Sequence, residues 1–411
     1  MPSTTISLTR NFSFYESILI RVFDALPLGR MQLELSDGRK MYFGNGEGQR
    51  CVVRVSNPEF FQKCVLYGDI GFAESYVDGD WNTDSLSDIT AWFILNIDYC
   101  AALTGKGFRK YFGNALRFGN KLFHYTRKNT IEGSRKNISE HYDLGNDFYS
   151  LFLDKSMTYS SGIFRTADTS LEEAQVEKYD RLCRSLALKS TDHLLEIGSG
   201  WGGMAIHAAT HYGCKVTTVT ISAEQFKYAK ALIEKEDLQH LIDIRLEDYR
   251  NITGSFDKIV SIEMIEAVGH EYVPVYFAKC NELLKPGGAM ALQVITSQDG
   301  RYKEFRKSVD FIQKHIFPGS QTPSMAYIHQ CVNKVTDWNL HDVKDIGIDY
   351  ARTLRLWFDA FNTKLAEVKK LGMDDAFIRK WNYYLQYCEA AFYTSHISVK
   401  QLVYARPYAR F

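Results

Sequence analysis

A chain of 411 residues is too long for one small domain, and its 45% hydrophobic content is enough to bury a large core, so two domains are expected. Lysine plus arginine equals aspartate plus glutamate at 49 each, so the net charge is zero. The chain as a whole therefore has no excess positive charge that would attract nucleic acid or an acidic partner. The eight cysteines form no CxxC pair and have no histidines at zinc spacing, which favours reduced thiols and no metal site.

Membrane-spanning segments are not expected in this sequence. No uninterrupted apolar stretch reaches the roughly 18 to 20 residues that a spanning helix needs. The N-terminus also lacks the apolar core of a signal peptide. We therefore expect a cytoplasmic protein.

The N-terminal residues, 1–104, are predicted to form a small α+β domain. Two short alternating stretches, MQLEL at 31–35 and CVVRV at 51–55, indicate strands among turn residues. Helical patterns follow these strands and complete the domain.

A basic segment at 105–137 is predicted to form an amphipathic linker helix. Its charged residues are basic except for one acid, Glu132. Apolar residues recur at helical spacing and form a stripe, which consists of Tyr111, Ala115, Phe118, Leu122 and Tyr125. Such a helix can lie on an anionic lipid surface. The alternative is a linker whose stripe packs on its own protein, and the two states can alternate.

The residues from 138 to 411 are predicted to form a doubly wound α/β domain with a mostly parallel sheet. Helical windows near 202–212, 223–237 and 271–284 alternate with strand candidates, which are HLLEIG, KVTTVT, IDIRLED, FDKIVSI and AMALQVIT. An insertion at 296–345 interrupts this rhythm and is expected to cover an active site. Two more helical windows and a last strand in SVKQLVYARP close the chain.

The stretch LLEIGSGWGG at 194–203 indicates a glycine-rich turn that holds a nucleotide-like ligand. Gly198 and Gly200 permit a tight turn and a close approach of backbone to ligand, and the following helix presents unpaired amides. A dinucleotide would favour GxGxxG and an acid at the end of the second strand. Here that strand ends without an acid and Glu247-Asp248 ends the third, which suits S-adenosylmethionine better than NAD.

Several long blocks resemble the cyclopropane-fatty-acyl-phospholipid synthase family of S-adenosylmethionine-dependent lipid C-methyltransferases. They include HYDLGNDFYSLFLDKSMTYSSGIF, LEIGSGWGG, VTISAEQ, EDYR, IEMIEAVGHE, DFIQKHIFPGSQTPS and YARTLRLW, and GDIGFAESYVDGDW resembles the N-terminal domain of that family. The resemblance implies a Rossmann-like methyltransferase fold that acts on double bonds of phospholipid acyl chains. It also implies a catalytic bicarbonate and a homodimer.

The resemblance assigns two groups of site residues. For the bicarbonate it implies Glu266, the backbone near Ile295, and Tyr350, with Ser161 and Gln293 at positions where the bacterial pattern has cysteine and histidine. Both replacements can hydrogen-bond, but glutamine cannot titrate. The segment after Gln293 looks more like the plant-type branch, where glutamine is familiar. Cofactor contacts are implied at eight residues, which are Tyr159, Ser160, Gly198, Gly200, Thr220, Gln225, Glu247 and Asp248.

Simpler structural roles compete with these assignments. Ser160 and Thr220 are alternatively helix caps, and Glu266 is alternatively a surface carboxylate at a helix start. Aromatic faces can stabilise a carbocation, and the candidates for that lining are Phe311, Phe317, Tyr350 and Trp357. Core packing explains any one of these rings equally well.

Three functional hypotheses follow. The leading one is cyclopropanation of cis-unsaturated phospholipid acyl chains by a peripheral enzyme at the inner, anionic face of the membrane, through a carbocation that bicarbonate deprotonates. The second keeps the methyl transfer but gives a methylene- or methyl-branched chain. The third is a non-catalytic lipid-binding module.

Overall fold

The computed structural model describes residues 13–99 and 144–411, which its internal contacts divide into two compact units. The described part of the N-terminal unit comprises residues 13–99 and 375–383, and that of the second unit comprises 144–374 and 384–411. The predicted basic helix at 105–137 lies outside the described residues, as do both of its predicted boundaries. The predicted division of the chain therefore stays a prediction.

A four-stranded sheet and helices form the N-terminal unit. The strand order is β2-β1-β3-β4, with β1 parallel to β3 and the other pairs antiparallel. Trp81 is fully buried, and its indole N–H donates to the Phe72 carbonyl and the Ser75 hydroxyl, each at 3.0 Å. The elements are α1 Phe14–Asp24, β1 Arg30–Glu34, β2 Lys40–Phe43, β3 Arg50–Val55, α2 Glu59–Val77, β4 Trp81–Asn82 and α3 Leu86–Leu95.

A seven-stranded sheet is the centre of the second unit, in the order β10-β11-β9-β8-β5-β6-β7. The strands are β5 His193–Ile197, β6 Lys215–Thr220, β7 Ile242–Leu246, β8 Phe256–Ile262, β9 Leu284–Ser297, β10 Asn339–Asp345 and β11 Ile397–Ala405. The pairs from β7 to β9 are parallel, and β11 is antiparallel to both of its neighbours. The doubly wound, mostly parallel α/β fold that the sequence predicts is therefore confirmed.

Helices cover this sheet on both faces, and each face has its own buried cluster. One cluster includes Leu195, Phe277 and Leu292, and the other includes Leu182, Leu194 and Ala208. Adjacent residues of β5 thus point to opposite faces, as strand geometry requires. The helices are α4 Asn146–Tyr149, α5 Leu171–Ser185, α6 Gly203–Tyr212, α7 Ala223–Lys235, α8 Val273–Leu283, α9 Tyr302–Phe305, α10 Phe311–His315, α11 Met325–Val335, α12 Gly347–Thr363, α13 Leu365–Lys370 and α14 Asp375–Tyr393.

The residues of the predicted insertion, 296–345, include helices α9 to α11 and also a strand of the sheet. Their last residues form β10, which pairs with β11. In the part of the chain that the structure describes, none of the helices combines the length and the apolar character needed to cross a membrane.

Strand β9 carries two predicted site residues, Gln293 and Ile295. The first part of this strand packs against β8 only because Gly288 has no side chain. A Cβ at this buried position would lie 2.6 Å from Leu284 Cδ1 and 2.8 Å from the Asp257 carbonyl oxygen of the paired strand β8. We expect Gly288→Ala to lower the free energy of unfolding by about 1–3 kcal/mol, because one strand must shift. Urea denaturation followed by circular dichroism measures this loss.

Gly300→Ala is the matched control. Gly300 is exposed, and a Cβ there would have no atom within 4 Å. Its unfolding midpoint should stay close to that of the wild type, and equal losses in the two variants would contradict the packing argument.

Candidate active site

The glycine-rich turn joins β5 to α6 at the carboxyl edge of the sheet. Gly198 and Gly200 have φ values of +97° and +50°, in the left-handed region that glycine adopts without strain. The N–H groups of Gly198 and Ser199 both donate to the Val219 carbonyl, at 3.0 and 2.9 Å, and this ties the turn to β6. That the first amides of α6 hold a ligand stays a prediction.

Thr220 and Gln225 are brought together at the end of β6. The Thr220 hydroxyl donates to Gln225 Oε1 at 3.0 Å and accepts from the Ser222 N–H at 3.1 Å. The cap of α7 is Ser222, whose hydroxyl accepts from the Gln225 N–H. Thr220 is therefore not the helix cap, and its role as a cofactor contact stays a prediction.

Glu247 and Asp248 follow β7 at the same edge of the sheet. The Glu247 N–H donates to the Thr220 carbonyl at 3.0 Å, which places this acid beside β6. The buried Asp248 carboxylate accepts from Arg250 Nε at 2.8 Å and from Arg250 Nη2 at 2.7 Å. This pairing fixes the orientation of Asp248.

Tyr159 belongs to an aromatic cluster in the second unit. Its ring centroid lies 5.2 Å from that of Trp357 and 6.2 Å from that of Phe317, and its hydroxyl is 2.8 Å from the Tyr384 hydroxyl. Tyr350 meets Trp357 edge to face at 6.0 Å. Three of the four predicted lining rings thus lie around Tyr159. The fourth ring, Phe311, is buried against His315 of its own helix.

Ser160 contacts a buried lysine that the sequence analysis did not identify. Lys178 of α5 is fully buried, and its ammonium donates to the Ser160 hydroxyl and to Gln175 Oε1, each at 2.7 Å. The ammonium also lies 4.4 Å from the ring centroid of Tyr179. Ser160 is therefore a partner of Lys178, and the alternative that it caps a helix does not hold.

Two carboxylates, Glu263 and Glu266, stand directly after β8. Glu266 accepts a hydrogen bond from the Ile295 N–H at 2.5 Å, and the Glu266 carbonyl accepts from the Gln321 N–H at 2.8 Å. Its other carboxylate oxygen, Oε2, is buried and has no partner in residues 13–99 and 144–411. The alternative that Glu266 is a surface carboxylate is thus wrong, although its role in catalysis stays untested.

Glu263, which was not predicted from the sequence, lies between two predicted catalytic residues, Ser161 and Gln293. Its Oε1 accepts from the Ser161 N–H at 2.9 Å and from Gln293 Nε2 at 2.8 Å. Burial and the nearby charge of Glu263 raise the pKa of the Tyr350 hydroxyl. The side-chain hydroxyl of Ser161 points away and donates to the Gly162 carbonyl at 3.0 Å.

The buried site perturbs the titration of its acids and of its lysine. Burial, reinforced by the charge of Glu263, raises the pKa of Glu266 to about 8. Burial also raises the pKa of Glu263, while hydrogen bonds from Gln293 and Ser161 and the charge of Lys178 oppose the rise. Burial lowers the pKa of Lys178 to about 7 and raises that of Glu196 to about 8.

The glycine turn and the carboxylate pair are neighbours. A Cβ at Gly198 would lie 3.2 Å from Cγ of Met264, the residue that follows Glu263. The tryptophan of the turn, Trp201, donates from its indole N–H to Asn146 Oδ1 at 2.7 Å. The structure thus brings the predicted cofactor turn next to the predicted catalytic residues.

The sequence analysis missed Glu263, Lys178 and Tyr384 as members of this site. The signal for Glu263 was present, because carboxyl ends of parallel strands meet at the ligand-binding edge and Glu263 is the first residue after β8. No comparable signal marks Lys178 or Tyr384, since both lie within helical patterns and face the site only after folding.

Comparison with protein families gives a match over most of the second unit. Residues 129–402 match the family described as mycolic acid cyclopropane synthetase. The chain is also similar to a tuberculostearic acid methyltransferase of Mycobacterium tuberculosis, with 36% identity over 93% of this chain and 89% of the relative. A cyclopropane-fatty-acyl-phospholipid synthase of Escherichia coli is 37% identical over 86% of this chain and 87% of the relative.

Solved structures give the same result. The cyclopropane synthase structure from M. tuberculosis is similar with a TM-score of 0.62 at 30% identity, over 66% of this chain and 98% of that one. A mycolic acid cyclopropane synthase complexed with SAH and CTAB has a TM-score of 0.62 at 29% identity, over the same shares of the two chains.

The raised pKa of Glu266 predicts a pH-dependent loss of stability. Folded Glu266 keeps its proton up to about pH 8, whereas the ordinary pKa of a glutamate is 4.5. The folded state therefore binds more protons between these values, and the contribution of this group to stability falls as the pH rises from 4.5 to 8. Glu266→Gln removes that loss, so its Tm should exceed that of the wild type at pH 8.5 by on the order of 2–4 °C.

Thermal unfolding of both proteins at pH 5 and at pH 8.5 checks this expectation. The gain of the variant should be confined to the higher pH. Exposed Glu234→Gln, the same change on the surface of α7, should leave the Tm unchanged at both values. A difference between wild type and Glu266→Gln that is the same at both pH values would contradict the buried, proton-binding state of Glu266.

Proposed function

The chain belongs to the mycolic acid cyclopropane synthetase family and is an S-adenosylmethionine-dependent methyltransferase, and from this premise we propose that it acts on cis double bonds of phospholipid acyl chains. The product of the leading reaction is a cyclopropane ring. The observation that carries this proposal is the pair of carboxyl groups, Glu263 and Glu266, which lie next to the glycine turn and accept hydrogen bonds from Ser161, Gln293 and Ile295.

Each part of the site supports one step of such a reaction. S-adenosylmethionine supplies a methyl group on a positively charged sulfur. The turn at Gly198 and Gly200, together with Thr220 and Gln225, would hold this cosubstrate. An alkene is a weak nucleophile, so its double bond has to be held in line with the methyl carbon in a site that excludes water.

The aromatic cluster would stabilise the positive charge, and a carboxylate would neutralise it by accepting a proton. Attack of the alkene on the methyl carbon forms one C–C bond, breaks the C–S bond with release of S-adenosylhomocysteine, and leaves a carbocation on the acyl chain. The rings of Tyr159, Trp357 and Phe317 present π faces that stabilise a cation. Loss of a proton from the transferred methyl group then closes the ring, and this step needs a base next to the acyl chain.

The bicarbonate that the resemblance implies does not fit the donors of this site well. The Ser161 N–H and Gln293 Nε2 donate to Glu263, and the Ile295 N–H donates to Glu266. Bicarbonate would have to displace these carboxyl groups or lie beside ionised Glu263 in a dry site, where like charges repel strongly. Bicarbonate therefore has no part in the proposed reaction.

A branched product is the second candidate. After a hydride shift moves the cation to the methyl-bearing carbon, loss of a proton from the transferred methyl group would give a methylene-branched chain. Loss of a proton from the adjacent chain carbon would give a methyl-branched chain that keeps one double bond, with the same added mass. The similarity to a tuberculostearic acid methyltransferase favours this candidate. The third hypothesis, a non-catalytic lipid-binding module, is not retained, because the family match supports an enzyme.

We place the reaction at the inner, anionic face of the membrane, where the enzyme is peripheral. This part of the proposal rests on the composition of the basic segment at 105–137, whose cationic side chains would be attracted to anionic headgroups. Assembly as a homodimer is a further part of the proposal and rests on the family resemblance alone.

Incubation of the enzyme with S-adenosylmethionine and anionic vesicles of cis-monounsaturated phospholipid tests the proposed function. Each modified acyl chain should gain the mass of one CH2 in lipid mass spectrometry. Vesicles of fully saturated phospholipid are the control and should gain none. Proton NMR of the product separates the candidates, because only the cyclopropane gives upfield ring methylene signals, and unchanged lipid mass would reject both.

A further inference from the structure

The backbone at Glu263 adopts a conformation that side chains rarely take. Glu263 follows β8 with φ at +47°, in the left-handed region, and its N–H donates to the Gln293 carbonyl of β9 at 2.8 Å. A non-glycine residue held in this region is uncommon, and such residues cluster at functional sites. The conformation directs the Glu263 carboxylate toward Ser161 and Gln293.

The orientation of the Gln293 amide is determined by a chain of hydrogen bonds. Arg181 can only donate, and its Nη1 donates to Gln401 Oε1 at 2.7 Å. Gln401 Nε2 must then donate to Gln293 Oε1, which it does at 2.8 Å. Gln293 Nε2 is therefore the atom that faces Glu263, and it donates to Glu263 Oε1 at 2.8 Å.

Two of the groups at which the resemblance would place bicarbonate donate hydrogen bonds to Glu263. They are the backbone N–H of Ser161 and the side-chain amide of Gln293. A third group, the Ile295 N–H, is bonded to Glu266. The carboxylate of Glu263 thus has the shape, the charge and the partners expected for the captured anion.

The surroundings of the two acids favour different protonation states. Glu266 has one bonded oxygen and one buried oxygen without a partner in the described part of the chain, so burial favours its protonated form. Burial raises the pKa of Glu263 as well, but this carboxylate accepts two hydrogen bonds on one oxygen, and these bonds and the charge of Lys178 oppose the rise and favour the ionised form. Pairs of acids whose environments differ in this way divide the acid and base roles between them.

We propose that Glu263 is the catalytic base of this enzyme and that its carboxylate takes the place of bicarbonate. This inference rests on the proposed function. After the C–S bond breaks and the first C–C bond forms, a Glu263 oxygen accepts a proton from the transferred methyl group. The electron pair of that C–H bond forms the second C–C bond, the cation is neutralised, and the proton stays on Glu263 until product release admits water.

Two variants and one additive test the assignment, with vesicles of cis-monounsaturated phospholipid as substrate. The wild type should turn over at the same rate in argon-sparged buffer with and without added bicarbonate. Glu263→Gln keeps the size of the side chain but cannot accept a proton, so turnover should fall by about 10²–10⁴-fold. Its affinity for S-adenosylmethionine, measured by calorimetry, should stay at the wild-type value.

Glu263→Gly separates the loss of a base from a loss of structure. Glycine adopts the backbone conformation of residue 263 without strain, and its lack of a side chain leaves the Ser161 and Gln293 donors open. This variant should be inactive in bicarbonate-free buffer and should regain activity when bicarbonate is added. Asp237→Gly is the matched control, because Asp237 is an exposed acid with φ at +56°, and its activity should not respond to bicarbonate.

Each contrary result has a definite meaning. A wild type that requires bicarbonate, or a Glu263→Gln variant with wild-type turnover, would overturn the assignment alone. Loss of activity in both Glu263 variants without rescue of the glycine variant would assign Glu263 to the architecture of the pocket and not to proton transfer. A wild type that methylates no lipid in either buffer would overturn the proposed function, and this inference would fall with it.

Discussion

A buried carboxylate has to be supplied with hydrogen-bond donors, and this requirement organises the site around Glu263. The donors come from two separate parts of the chain, which are the segment before α5 and strand β9. Neither of them is near Glu263 in the sequence. The parallel pairing of β8 with β9 places Gln293 beside Glu263, whose N–H donates to the Gln293 carbonyl.

This requirement also bears on Ser161 and Gln293, the positions at which the resemblance implies cysteine and histidine in the bacterial pattern. Ser161 contributes its backbone N–H, and its hydroxyl is turned away toward the Gly162 carbonyl. The nature of the side chain at 161 therefore matters little for this bond. Gln293 cannot titrate, but a carboxylate that acts as its own base needs only a fixed donor at that position. An amide oriented by Gln401 and Arg181 provides one.

Most of the parallel sheet could be predicted from the sequence, because its strands are buried on both faces and read as short apolar runs. Strand β10 could not, since NLHDVKD is an exposed edge strand with no apolar alternation. The glycine turn and Glu266 carried recognisable local patterns. Lys178 and Tyr384 did not, because a helix buries one side of its surface and the sequence does not say what that side will meet.

The position of the base bears on which product forms. An inorganic anion can shift within its pocket, whereas Glu263 is attached to the backbone and its carboxylate is held by Ser161 and Gln293. A fixed base removes whichever proton the acyl chain presents to it. Selection between the ring and the branched chain then depends on how far the hydrocarbon advances past the aromatic cluster before the cation forms. On the proposed mechanism the position of the acyl chain, and not the strength of the base, decides the outcome.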